Sequence, residues 1–157
     1  MKTCLHQLAL RVPPLVVAGL AGLGAWIITH AFPALRMESA ARIWLAAAFG
    51  LLGVGFSLLG VISFRRARTT VNPTKPGAAT ALVVSGVYRF TRNPMYLGFL
   101  CLLLGELAWL GSPIALIAAP ALVCYLNRFQ IAPEEGALRE RFGAKFVAYT
   151  TRVPRWL

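Results

Sequence analysis

Three observations predict an all-α, polytopic membrane protein with about four transmembrane helices. The chain is 58% hydrophobic, with a mean hydropathy of +0.68 and only 13% charged residues, roughly half the charged share of ordinary soluble domains. Apolar stretches of about the twenty residues that a spanning helix needs recur between short polar breaks. The basic residues lie outside those stretches and concentrate on alternate sides of them. At 157 residues the chain reads as one domain. Residues 1–64 hold two spans, and residues 65–157 hold a motif-bearing loop, a helical hairpin and a tail.

The first span runs from about Val12 to Ala31, opening on Pro13-Pro14 and closed by Pro33. Its apolar run is long, starts late and is followed by no clear small-residue cleavage site, so it reads as retained rather than as a signal peptide. The second runs from about Ile43 to Phe64. Small residues recur in both, at Ala18 and Gly22, Ala46 and Gly50, and Gly53 and Gly55. That pattern predicts close helix packing. The run Gly19 to Gly24 lacks a preceding strand and the dinucleotide-binding spacing. The third span, about Pro94 to Leu110, is short; the fourth, about Pro113 to Ile131, contains Pro120, which predicts a kink. Gly111-Ser112-Pro113 makes a tight turn and pairs these two as an antiparallel hairpin. In the tail, Leu138, Phe142, Phe146 and Tyr149 form one apolar face of a helical stretch nicked at Gly143, lying on the membrane or on the loop.

Charge placement sets the topology. Lys2 and Arg11, the loop cations Arg65, Arg66, Arg68, Lys75, Arg89 and Arg92, and the tail cations Arg128, Arg139, Arg141, Lys145, Arg152 and Arg155 fall on one side. Only Arg36 and Arg42 fall on the other. The positive-inside rule then puts both termini and the second loop in the cytoplasm. The net charge of +11 therefore belongs to membrane-flanking loops, and no nucleic-acid partner is expected. Cys4, Cys101 and Cys124 have no C-x-x-C spacing, which argues against a zinc site or a disulfide framework, and no metal is expected. His6 and His30 are isolated, and without any Asp a Ser-His-Asp triad cannot be built.

The chemistry-bearing residues sit around the hairpin. Arg92-Asn93-Pro94 opens the third span and Glu134-Glu135 follows the fourth, so the hairpin returns both to the cytoplasmic face. Arginines, the carboxylates, Tyr88 and Tyr96 then converge at one depth. Such a cluster suits a small zwitterion: Arg pairs with a carboxylate in bidentate fashion, Glu holds an ammonium, and Tyr faces a ring or a cation. Each residue also has a plainer reading. Pro133-Glu134-Glu135 resembles a helix start, the tyrosines suit an aromatic belt, and the arginines suit topology signals. Their joint placement favours a site. Glu106 is an ionisable side chain deep in an apolar segment, either functional or facing other helices.

The string Gly86-Val-Tyr-Arg-Phe-Thr-Arg-Asn-Pro-Met-Tyr-Leu-Gly98, then Glu134-Glu135, then Phe142-Gly143, Phe146, Tyr149 and Arg152-Val-Pro-Arg155, resembles the integral-membrane methyltransferases. These are the isoprenylcysteine carboxyl methyltransferases and the related phospholipid methyltransferases, marked by Arg-His-Pro-x-Tyr-x-Gly, an apolar hairpin and a Glu-Glu pair. The resemblance covers residues 69–157; the first two spans match only as generic helices. It implies methyl transfer from S-adenosylmethionine, the cofactor, to a lipophilic or lipidated substrate that enters from the membrane lipids. It implies cofactor contacts at Gly86, Tyr88, Arg92, Asn93, Pro94, Tyr96, Gly98, Glu134 and Glu135, and catalytic roles for Glu135 and Arg152, with Arg155 as the second cation of the tail. Asn93 stands where the family has His, so this position cannot titrate near neutral pH.

Two other readings remain open at this level. A sterol-reductase-like oxidoreductase shares a similar C-terminal motif but is much larger, and a small non-enzymatic subunit or transporter needs no cofactor. The Arg- and Ala-rich usage points to a bacterial inner membrane. The methyl acceptor, whether carboxylate, amine or thiol, is not encoded in any motif.

Overall fold

The computed structural model describes residues 10, 12–33, 36, 39–69 and 80–157. Cys4 and His6, the charges at Lys2, Arg11 and Lys75, Glu38 and residues 70–79 of the second loop lie outside the described residues. The architecture is helical, with no strand among the described residues. Helix α1 spans Pro14–Ala31 and α2 Ala41–Arg66. A 3-10 turn, Gly86–Arg89, leads into α3, Pro94–Leu110. A second 3-10 turn, Pro113–Ile117, then gives way to α4, Ala118–Tyr125, a π-helical stretch, Leu126–Ile131, and α5, Ala132–Phe142. Helix α6, Ala144–Thr150, ends the helical part. By length and composition, Pro14–Ala31, Ala41–Arg66 and the continuous run Pro113–Phe142 can each cross a membrane, and Pro94–Leu110 is a shorter apolar helix.

The hairpin turn forms as expected. Gly111 takes the left-handed conformation (φ 64°) and its N–H bonds to Leu107 O, closing α3, a conformation that favours glycine. Arg36 Nε and Arg42 Nη1 donate to Leu110 O and Trp109 O at 3.2 and 3.3 Å, placing cations on the negative end of the helix dipole.

The fourth span differs from the expectation at its far end. It does not stop at Ile131 but continues as helix to Phe142. Pro133 lacks an N–H and would break an α-helical ladder. The π-turns at Leu126–Ile131 lie immediately before it, so the helix changes pitch there and runs on. Pro120 falls in the first turn of α4, where its missing donor costs little; the segment changes helix type on either side of it, at Ala118 and at Leu126.

Helix α3 is the central element. Tyr96, Leu97, Cys101, Leu103, Leu107 and Leu110 are all buried, whereas Leu51, Leu58 and Trp44 of α2 and Leu15 and Leu20 of α1 point outward. The small residues make this packing possible, and both N-terminal helices use theirs against α3. A Cβ on Gly53 would come 2.8 Å from Gly98 O, and one on Gly105 would come 3.1 Å from Ala46 O and 3.3 Å from Gly50 N. On the α1 side, Gly22 stands against the Glu106 carboxylate, so Glu106 faces a neighbouring helix. Gly55 departs from the expectation: nothing lies within 4 Å of a Cβ placed there.

Candidate active site

The site is assembled where the loop before α3, the junction into α5 and the C-terminal tail meet. The loop arrives through Gly86, at φ +63°, where a Cβ would also come 2.9 Å from Ser63 Oγ on α2. That turn buries Tyr88 edge-on against Phe64, with ring centroids 5.4 Å apart. The apolar face expected in the tail exists and lies on the loop. Phe146, Tyr149 and Val153 form a buried cluster with Leu82, Leu138 and Phe142. It is tied down by the Tyr149 hydroxyl, which donates to Tyr88 O at 2.7 Å. The nick is at Gly143, whose φ of +51° separates α5 from α6.

Above this base the charged residues converge. Arg92 Nη1 pairs with Glu135 Oε1 at 2.8 Å. Arg155 grips the same carboxylate in bidentate fashion, Nη2 to Oε2 at 2.6 Å and Nε to Oε1 at 3.2 Å. The Arg92 and Glu135 side chains are only 15% and 16% exposed, so their pairing is little screened; Arg155 is 36% exposed. Beside them, Tyr96 donates its hydroxyl to Glu134 Oε2 at 3.0 Å. Hairpin closure thus brings residues about forty positions apart into direct contact.

The backbone of the tail is held as firmly as its side chains. Arg92 N donates to Pro154 O at 3.0 Å. Thr91 Oγ1 and Asn93 Nδ2 both donate to Arg155 O, at 3.2 and 2.9 Å. Trp156 Nε1 donates to Asn127 Oδ1 at 3.1 Å, on the π-helical stretch. That same stretch receives the N-terminal side of the chain: Leu10 N bonds Phe129 O, and Gln130 Nε2 bonds Val12 O at 2.6 Å.

Burial sets the electrostatics of the two loop and tail phenols. Burial pushes the Tyr88 hydroxyl well above its ordinary value, helped by the Glu134 charge. Burial likewise raises Tyr149, against a smaller opposing pull from Arg92. Both act as neutral hydrogen-bonding groups at any physiological pH.

The expected site residues fall into four groups. Arg92, Glu134, Glu135 and Tyr96 meet directly. Gly86, Tyr88, Asn93 and Pro94 shape the loop and the helix start around them, Pro94 being fully buried. Gly98 lies in the α2–α3 contact, where a Cβ would clash with Ser57 Oγ and come 2.7 Å from Gly53 O. Arg152 is exposed just past the end of α6, and its Nε donates to Ala148 O of that helix at 3.1 Å; the tail cation that reaches Glu135 is Arg155. Thr91, fully buried, and Trp156 complete the assembly without having stood out in sequence. Thr91 lies within the motif string, but its hydroxyl contact depends on a tail more than sixty residues away.

The family model for phospholipid methyltransferase matches residues 41–145, which carry α2, the loop, the hairpin and both glutamates. The chain belongs to this family. It is 32% identical over 127 residues to the protein-S-isoprenylcysteine O-methyltransferase B of Arabidopsis thaliana, covering 78% of this chain and 62% of that protein. It is 32% identical over 118 residues to the protein-S-isoprenylcysteine O-methyltransferase of Rattus norvegicus, covering 73% of this chain and 41% of that protein. It is 40% identical over 63 residues to an uncharacterized protein of Haemophilus influenzae, covering 40% of this chain and all of that protein. The chain therefore spans less than two thirds of the length of these two named methyltransferases. No solved structure matches it.

Proposed function

We propose that the protein transfers a methyl group from S-adenosylmethionine to a lipophilic acceptor, an isoprenylcysteine-like carboxylate or a lipid amine. The transfer takes place at the cytoplasmic face of a bacterial inner membrane. Membership of a methyltransferase family and the names of the relatives support the reaction class. The side of the membrane rests on the loop and tail cations, which share the face that carries the site.

The observation that carries the reading is the pairing of Arg92 and Arg155 with Glu135, with Glu134 beside them. This donor set fits the amino-acid end of the cofactor, which presents one ammonium and one carboxylate. Arg92 Nε is buried without a hydrogen-bond partner, a donor available to a carboxylate. Glu134 accepts from Tyr96 through one oxygen, leaving the other for an ammonium. Arg92, Glu134 and Glu135 would hold that end, with Tyr88, Tyr96 and Pro94 as the walls. When bound, the sulfonium supplies an already activated methyl group. The task left to the chain is to align the acceptor and exclude water, which a site at the edge of an apolar bundle does by position.

Titrating the purified protein with S-adenosylhomocysteine, the demethylated product, tests the cofactor. Saturable binding that weakens in Arg92→Ala and Glu134→Ala is expected, and no binding at millimolar ligand sinks the reading. Mass spectrometry of lipid extracts from cells with and without the protein then identifies the acceptor class by a species one methyl heavier.

A further inference from the structure

Asn93 occupies the N-cap position of α3, where Asn ordinarily turns its side-chain oxygen onto the first free N–H groups of the helix. It makes no such bond. Its Nδ2 instead donates to Arg155 O at 2.9 Å, and that same carbonyl takes a second bond from Thr91 Oγ1. Between them, Arg92 N holds Pro154 O. Three consecutive residues thus clasp two consecutive tail carbonyls, and the side chain projecting from the clasped backbone is the one that grips Glu135 with two bonds. A long arginine on a free tail would lose much of such a pair to side-chain and chain entropy. Fixing the backbone removes that loss.

We propose that Asn93 is a positioning residue that acts through Arg155. By donating to the Arg155 carbonyl it sets the guanidinium that orients Glu135, and it works on the bound ligand only by that route. The inference rests on the methyl-donor reading for its effect on affinity, but the clasp itself does not depend on it. It also gives the Asn at this position a task that needs a donor and no titration.

The test is Asn93→Asp in the full-length protein in detergent. Aspartate is an equally good N-cap, so a residue serving only the start of α3 would tolerate it with stability and affinity unchanged. It cannot donate to a carbonyl, so a clasp residue would not. The expected result is S-adenosylhomocysteine binding weakened roughly fivefold to a hundredfold, the cost of one buried hydrogen bond lost. Faster amide exchange should be confined to residues 153–157 and 91–93, with α3 protection intact. In an Arg155→Ala background the same substitution should add less than about twofold, because the two act in series. Wild-type affinity in Asn93→Asp, or full additivity with Arg155→Ala, would overturn the proposal. If the unmodified protein binds no S-adenosylhomocysteine, the methyl-donor reading fails; tail exchange then decides the clasp, and an unchanged tail in Asn93→Asp would overturn it.

Discussion

Replacing Glu135 with Gln keeps the shape of the side chain and removes the charge that two arginines share. In the native arrangement Glu135 accepts one bond from Arg92 and two from Arg155. A glutamine oxygen can keep one arginine, but its amide NH2 must then face the other. The Arg92 contribution dominates, because that side chain is 15% exposed and loses its counter-charge in a poorly solvated place. The Arg155 contribution is discounted, because at 36% exposure water replaces much of what is lost. Breaking a fully buried pair costs about 3–5 kcal/mol, so the partly exposed triad gives about 2–4 kcal/mol. For a protein of this length that lowers the melting temperature by about 5–15 °C. The assay is thermal unfolding in detergent, with Glu140→Gln at an exposed position as the control. The loss should persist at high salt, since pairs out of bulk water are weakly screened. A Glu135→Gln midpoint within about 2 °C of the native protein would refute the view that this carboxylate holds loop and tail together.

Other consequences follow from the same contacts. Gly98→Ala should lower stability by about 1–3 kcal/mol, because its Cβ would force α2 and α3 apart. Gly55→Ala, with open space around it, should be neutral or slightly stabilising in the same melt. Tyr149→Phe should cost about 1–3 kcal/mol by leaving the buried Tyr88 carbonyl without its partner, and chemical denaturation measures it. Both Tyr88 and Tyr149 have folded-state pKa values raised above the unfolded one. Their contribution to stability is therefore complete below about pH 10 and is lost as pH rises beyond it. Phenolate absorbance should show these two ionising only as the protein unfolds, whereas a smooth titration of all tyrosines in the folded protein would contradict their burial.

The helices were legible because their lengths and apolar runs leave few alternatives in lipid, and the hairpin because Gly111 marks a left-handed turn between two apolar segments. The hairpin in turn made the meeting of Arg92 with Glu135 legible before any contact was seen. The continuation of the fourth span through Pro133 was not, since that proline reads as a helix start unless the preceding turns are known to be π-helical. Arg155 rather than Arg152 reaches Glu135 because the chain leaves regular helix after Thr150. No periodicity says which way side chains point beyond that residue. Gly98 sits in the motif, but its contact with Gly53 and Ser57 depends on an interhelical distance that a sequence does not carry.

These contacts explain how one motif string both packs the bundle and places the charged groups of the candidate site. Gly98 lets α2 approach α3, and Tyr96, two residues earlier on the same helix, reaches Glu134. Arg92 and Asn93, just outside the helix, hold Glu135 and the tail. A shift of α3 along its axis would therefore disturb the glycine contact, the tyrosine–carboxylate bond and the clasp together. Because the site draws on the loop, α3, the α5 junction and the tail, no one of these elements can form it alone. The packing that fixes α3 in the bundle is therefore also what fixes the spacing of the charges.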